Sequence, residues 1–113
     1  MSKLKFKDEA KVIIMREPIL INAMEEIVRG LVGFLLRGPE YQTFCNCSTC
    51  EYDTVAIALN VLPAKYITSL ESRDRVFESL NTPENMELIN REIIHALHIV
   101  AKNPKHQIEP TSI

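Results

Sequence analysis

Neither sign of charge predominates in this 113-residue chain: 13 Lys and Arg stand against 15 Asp and Glu, for a net charge of −2. That leaves no basic field to grip a phosphate backbone and argues against nucleic acid as a partner. No apolar run reaches the length that crosses a bilayer, and the N-terminus lacks the order of charge, apolar stretch and small residues of a secretion signal. A cytoplasmic protein with no membrane partner is therefore expected. Low-complexity tracts are absent as well, and 46% apolar content over this length suits one modest folded core. Cysteine is missing from all but one place.

All three cysteines fall within six positions, in Cys45-Asn46-Cys47-Ser48-Thr49-Cys50. In a reducing compartment such a cluster points to metal or redox chemistry more often than to a structural disulfide. Thiolates at C-x-C-x-x-C spacing can converge on one tetrahedral zinc, whereas Cys47 and Cys50 alone form a C-x-x-C pair suited to a thiol switch. A third reading is that the thiols simply fill space. An enzyme, either a thiol oxidoreductase or a zinc hydrolase, is the least supported, because no alternating strand pattern accompanies the pair and no general base stands at a fixed spacing from it.

The cluster also opens a helix. Ser48 followed by Glu51 has the spacing of a capping box, so the second helix is expected from Ser48 to Leu62, ended by Pro63, with Tyr52, Val55, Ala56, Leu59 and Leu62 on its inner face. The first helix spans Ile21 to Arg37, opened by Asn22 and Glu25 as a capping pair and closed by Gly38-Pro39. Its apolar face is read as Met24, Ile27, Val28, Leu31, Phe34 and Leu35. Gly30 and Gly33 lie inside it, each costing up to about 1 kcal/mol of helix propensity, which suggests a close neighbour. The last helix runs from Pro83 to Lys102 behind Thr82 as N-cap, with Met86, Ile89, Ile93, Leu97 and Val100 as its core stripe. A short helix is expected at Glu71 to Leu80, and an extended stretch at Tyr66 to Thr68. The predicted class is all-α: three main helices plus one short one, in a domain over residues 18–106 between an N-terminal arm (1–17) and a flexible tail (107–113). His95 and His98, three apart on the last helix, could share an ion or stand as ordinary boundary residues.

Four blocks also carry a family likeness: Asn22-Ala23-Met24-Glu25-Glu26-Ile27-Val28; Cys45-x-Cys47-x-x-Cys50-x-x-Asp53; Ala56-Ile57-Ala58-Leu59-Asn60-Val61-Leu62-Pro63-x-x-Tyr66; and Asn103-Pro104-x-His106. With these, the chain resembles the ComFB family of late competence development proteins in order from Ile19 to His106. The resemblance implies a small, helical, non-catalytic bacterial homodimer tied to competence or pilus-related physiology. It further implies one of two ligands, since some relatives carry zinc at a cysteine cluster while others lack the cysteines and serve as cyclic dinucleotide receptors.

Zinc held by Cys45, Cys47 and Cys50 is the favoured cofactor, with a fourth ligand from His95, His98, His106, Asp53, water or a second subunit. An intertwined homodimer is expected to bury the apolar patch Val12 to Met15 and the glycine face of the first helix. Its role would be to present a surface to a protein partner. The alternative is a receptor for cyclic di-GMP or cyclic di-AMP, with Asn60, Lys65 and Tyr66 as candidate ligand-binding residues. Against it, Val61-Leu62-Pro63-Ala64 stands where such relatives tend to carry an Arg and a second Pro, so a bidentate phosphate partner is missing.

Overall fold

The computed structural model describes residues 18–105. The expectations for an arm at 1–17, for its patch Val12 to Met15, for His106 and for the tail lie outside these residues. Within them the order is β1 (Ile21–Asn22), α1 (Ala23–Leu36), a 3-10 turn (Pro39–Tyr41), α2 (Ser48–Val61), β2 (Tyr66–Ile67), α3 (Leu70–Leu80) and α4 (Pro83–Lys102). The all-α reading holds, including the short helix.

Capping hydrogen bonds mark several of the helix boundaries. Thr82 accepts the Asn85 N–H at 3.2 Å with Pro83 at the first helical position. Ser69 caps α3 by accepting the Ser72 N–H at 3.1 Å. Leu62 closes α2 by donating to the Ala58 carbonyl ahead of Pro63, and Gly38 closes α1 by donating to that of Leu35.

The core is a three-helix cluster. Ile89, Ile93, Ala96, Leu97 and Val100 on α4 face Met24, Val28, Val32 and Leu36 on α1 and Val55 and Ala58 on α2, all buried. On α4 the expected stripe is the observed one, with Met86 half-buried at its edge. On α1 and α2 the buried face is rotated from the expected one. Phe34 and Tyr52 are 73% and 58% exposed, and Ala56 is exposed, while Val32, Cys50, Thr54 and Ala58 are buried in their stead. Helical periodicity marks a set of neighbouring positions, but which flank of that set turns inward depends on the helices it meets.

Two residues expected to begin the first helix instead form a strand. Ile21 pairs with Ile67 and Asn22 with Tyr66, antiparallel. Asn22 does cap α1, accepting from the Met24 N–H at 3.1 Å, and its Oδ1 also accepts the Lys65 N–H at 2.8 Å. One side chain thus ties the α2–α3 link to the start of α1. Glu25 does not reach back to complete a capping pair; its carboxylate lies 3.4 Å from Arg29, one turn on. Asn22→Ala should leave both N–H groups without their acceptor and cost about 1–2 kcal/mol, whereas Asn22→Asp, which can accept both, should remain near wild type. Urea denaturation followed by circular dichroism measures the difference.

Candidate metal centre

After α1 the chain turns through Pro39–Tyr41 and is pinned on α4 by aromatic edges. Tyr41 and Phe44 meet edge-on with ring centroids 4.9 Å apart, and Phe44 meets His98 at 5.3 Å. This contact holds Cys45 at the surface while Cys47 and Cys50 lie at the start of α2. The three Sγ atoms all lie within 4.8 Å of one another.

The helix start differs from the expected capping box. The N-cap is Cys47, whose Sγ accepts the Cys50 N–H at 3.4 Å, and Ser48 is already the first helical residue. Glu51 is engaged across the helix pair, where its Oε1 accepts from Arg37 Nη2 at 3.4 Å. The sulfur one position earlier does the work that a hydroxyl was expected to do. Thr54, a fully buried polar residue, donates to the Cys50 carbonyl at 2.9 Å and so fixes the first turn behind the thiols. Sequence reasoning passed over Thr54, although a Thr four residues after Cys50 is placed for this back-bond.

The environment separates the thiols electrostatically. The Cys50 N–H directed at Cys47 Sγ draws the Cys47 pKa below its ordinary 9.0 despite some desolvation. Burial pushes the Cys50 thiol up to about 12, helped by hydrogen bonds and charge from Cys47 and Cys45. A cation bound among the sulfurs would reverse this, because thiolate rather than thiol is the ligand. Uptake of a metal ion by the three sulfurs would therefore release protons, Cys50's among them, so that affinity would drop as pH falls. Calorimetric titration in two buffers of different ionisation enthalpy counts those protons.

The donor set fits a thiophilic ion. Tetrahedral zinc at about 2.3 Å from each sulfur sets sulfurs about 3.8 Å apart, a contraction of about 1 Å from the widest spacing here. Side-chain rotation of the exposed Cys45 can supply much of that. Among the described residues Asp53, His95 and His98 do not join this group of potential ligands. His98 is held by a 2.9 Å contact of its Nδ1 with the Ile94 carbonyl as well as by Phe44. His95 is exposed on α4, and no third potential ligand joins the two histidines among the described residues. A cavity of about 200 Å³ beside the cluster is lined by Phe44, Cys45, Cys50, Leu97 and Pro104.

Asn60, Lys65 and Tyr66 are all exposed, at the end of α2 and in the link that follows. The backbone of Lys65 is used by the fold, donating to Asn22 and accepting from the Ala23 N–H at 2.7 Å.

Among the described residues no helix is long and apolar enough to cross a membrane. A family model for the late competence development protein ComFB matches residues 21–104. Among solved structures, the late competence protein ComFB from Bacillus subtilis aligns with a TM-score of 0.64 at 20% identity, covering 77% of this chain and 93% of that one. That likeness establishes a shared fold. Among curated proteins nothing matches.

Proposed function

The chain belongs to the ComFB family of late competence development proteins, and from that premise we propose that it is a non-catalytic homodimeric interaction protein whose Cys45, Cys47 and Cys50 hold one structural zinc ion. The observation that carries the zinc reading is the convergence of three sulfurs within 4.8 Å where a surface loop meets a helix N-terminus. Bound there, zinc would neutralise the thiolates and cross-link the loop to α2, contributing its binding free energy to folding. The protein's own groups orient the site: Thr54 anchors the Cys50 backbone, and the edge of Phe44 against His98 holds the loop.

A structural zinc site takes a fourth ligand. His106 has a short tether to the cavity, because it follows Pro104 by two residues and two extended residues reach about 7 Å. Its imidazole would complete a three-cysteine, one-histidine set.

Catalysis finds little support in this arrangement. A structural ion needs its positions filled, and the buried Cys50 with its raised pKa is a poor nucleophile. The family's role is in contact with other proteins on this reading, with zinc keeping the presenting surface rigid. Native mass spectrometry of protein purified without chelator tests both parts at once: a dimer carrying two zinc ions is expected, and a metal-free species after purification in zinc-supplemented medium would overturn the cofactor assignment.

A further inference from the structure

An apolar groove of about 370 Å³ opens between α1, α3 and the start of α4, walled by Ile27, Leu31, Phe77, Leu80 and Met86. All but Leu80 are only half-buried among the described residues. Apolar side chains gathered in one depression mark a place where another apolar group docks. The outer rim is acidic. Asp74 and Glu78, both exposed, lie three residues before Phe77 and Asn81 and so border the groove, while helical spacing turns Arg75 to the far side of α3. Arg73 is already engaged, its Nε donating to Glu26 Oε1 at 2.9 Å and its guanidinium 5.0 Å from the Phe77 ring centroid.

Residues 1–17 join the described chain beside this groove. The Ile19 N–H donates to the Thr68 carbonyl at 3.4 Å, which sets the incoming chain next to Ser69, the N-cap of α3. From Ser69, Phe77 lies about 12 Å and Asn81 about 18 Å along the helix at 1.5 Å per residue. Counted back from Ile19, an extended chain puts Met15 about 13 Å and Val12 about 23 Å away at 3.3 Å per residue. The two intervals overlap along the groove.

We propose that Val12-Ile13-Ile14-Met15 docks, extended, in this groove of its own subunit. The reach of the tether is one reason and charge is the other. Residues 1–17 hold five Lys and Arg against three Asp and Glu, whereas the rest of the chain holds eight against twelve. Lys11 and Arg16 bracket the patch, so docking brings a cation at each end toward a surface edged by Asp74 and Glu78. A second copy packed groove to groove would instead set one acidic rim against another. The covalent link also gives the patch a roughly millimolar effective concentration at the groove, which an unlinked apolar segment lacks. The assignment depends neither on bound zinc nor on a dimer.

Methyl NMR on the full chain tests it, with Ile, Val and Met methyl groups carbon-13 labelled. The expected result is nuclear Overhauser contacts from the methyls of Val12 to Met15 to the Phe77 ring. In an extended segment Ile13 and Ile14 point to opposite sides, so the double variant Ile13→Asp/Ile14→Asp must strike the docked face. It should abolish those contacts, and trypsin cleavage after Lys11 and Arg16 under native conditions should rise about tenfold or more. Phe77→Asp should have the same effect on cleavage from the groove side. If the wild type shows none of these contacts, or if neither variant speeds cleavage, the assignment is wrong. A sample mixing labelled with unlabelled chains separates the last case: contacts that run between the two kinds of chain would place the arm on the partner subunit and overturn docking within one subunit.

Discussion

Cys47→Ser is expected to lower the melting temperature by roughly 10 °C or more. Two roles of Cys47 predict opposite signs for this substitution, which makes it informative. As the N-cap of α2 its sulfur accepts the Cys50 N–H at 3.4 Å, and serine is among the best N-cap residues, so a cap alone would be unharmed or improved. As a zinc ligand it has no adequate replacement in a neutral hydroxyl. Structural zinc in small domains contributes about 10–16 kcal/mol of apparent binding free energy, so losing one of four ligands should cost about 2–4 kcal/mol. At about 4–8 °C per kcal/mol for a domain near this size, that is the drop stated. Cys45→Ser provides the control, since Cys45 is exposed and offers the core nothing to lose; it too should destabilise if it binds metal. Differential scanning calorimetry of wild type with and without chelator completes the set. Chelator and substitution should produce shifts that do not add, and a wild type indifferent to chelator would return the cysteines to plain packing.

Ile93→Ala should cost about 2–5 kcal/mol, a large part of the stability of a domain this size. Ile93 has 0% exposure and belongs to the cluster where α4 meets α1 and α2. Truncating it removes three buried carbons and leaves a cavity that the two neighbouring helices can close only by moving together. Ile94→Ala, one position along, removes the same atoms from a side chain 39% exposed. It should cost well under half as much. The midpoints of urea unfolding compare the pair directly, and equal losses would mean that α4 buries a different face from the one described.

How legible the molecule was varies from element to element. On α4 the helix, its cap at Thr82 and its buried stripe could all be read in advance, because a long helix packed along one side repeats its pattern enough times to fix the phase. The cysteine cluster was legible for a similar reason: a spacing within six residues crosses few backbone dihedrals, so local geometry nearly forces convergence once a helix begins there. Helix ends at Pro63 and Gly38 followed from backbone sterics that hold in any context.

What escaped were choices among locally equivalent options. Ser48 and Cys47 are adjacent cap candidates; Cys47 takes the cap, and Glu51 pairs with Arg37 across the helix pair instead of reaching back. The inner faces of α1 and α2 were misjudged by a fraction of a turn, with Phe34 and Tyr52 outside and Val32 and Thr54 inside. Ile21 and Asn22 could begin a helix or pair as a strand, and the arrival of Tyr66 and Ile67 alongside decided for the strand. Composition, periodicity and capping residues thus settled which segments are helical, where they stop and where the thiols gather, because those depend on sterics and hydrogen bonds within a few residues. The rotation of each helix, the pairing of distant strands and the surroundings that hold Cys47 and Cys50 at different pKa values waited on the tertiary structure, since they depend on groups that only folding brings together.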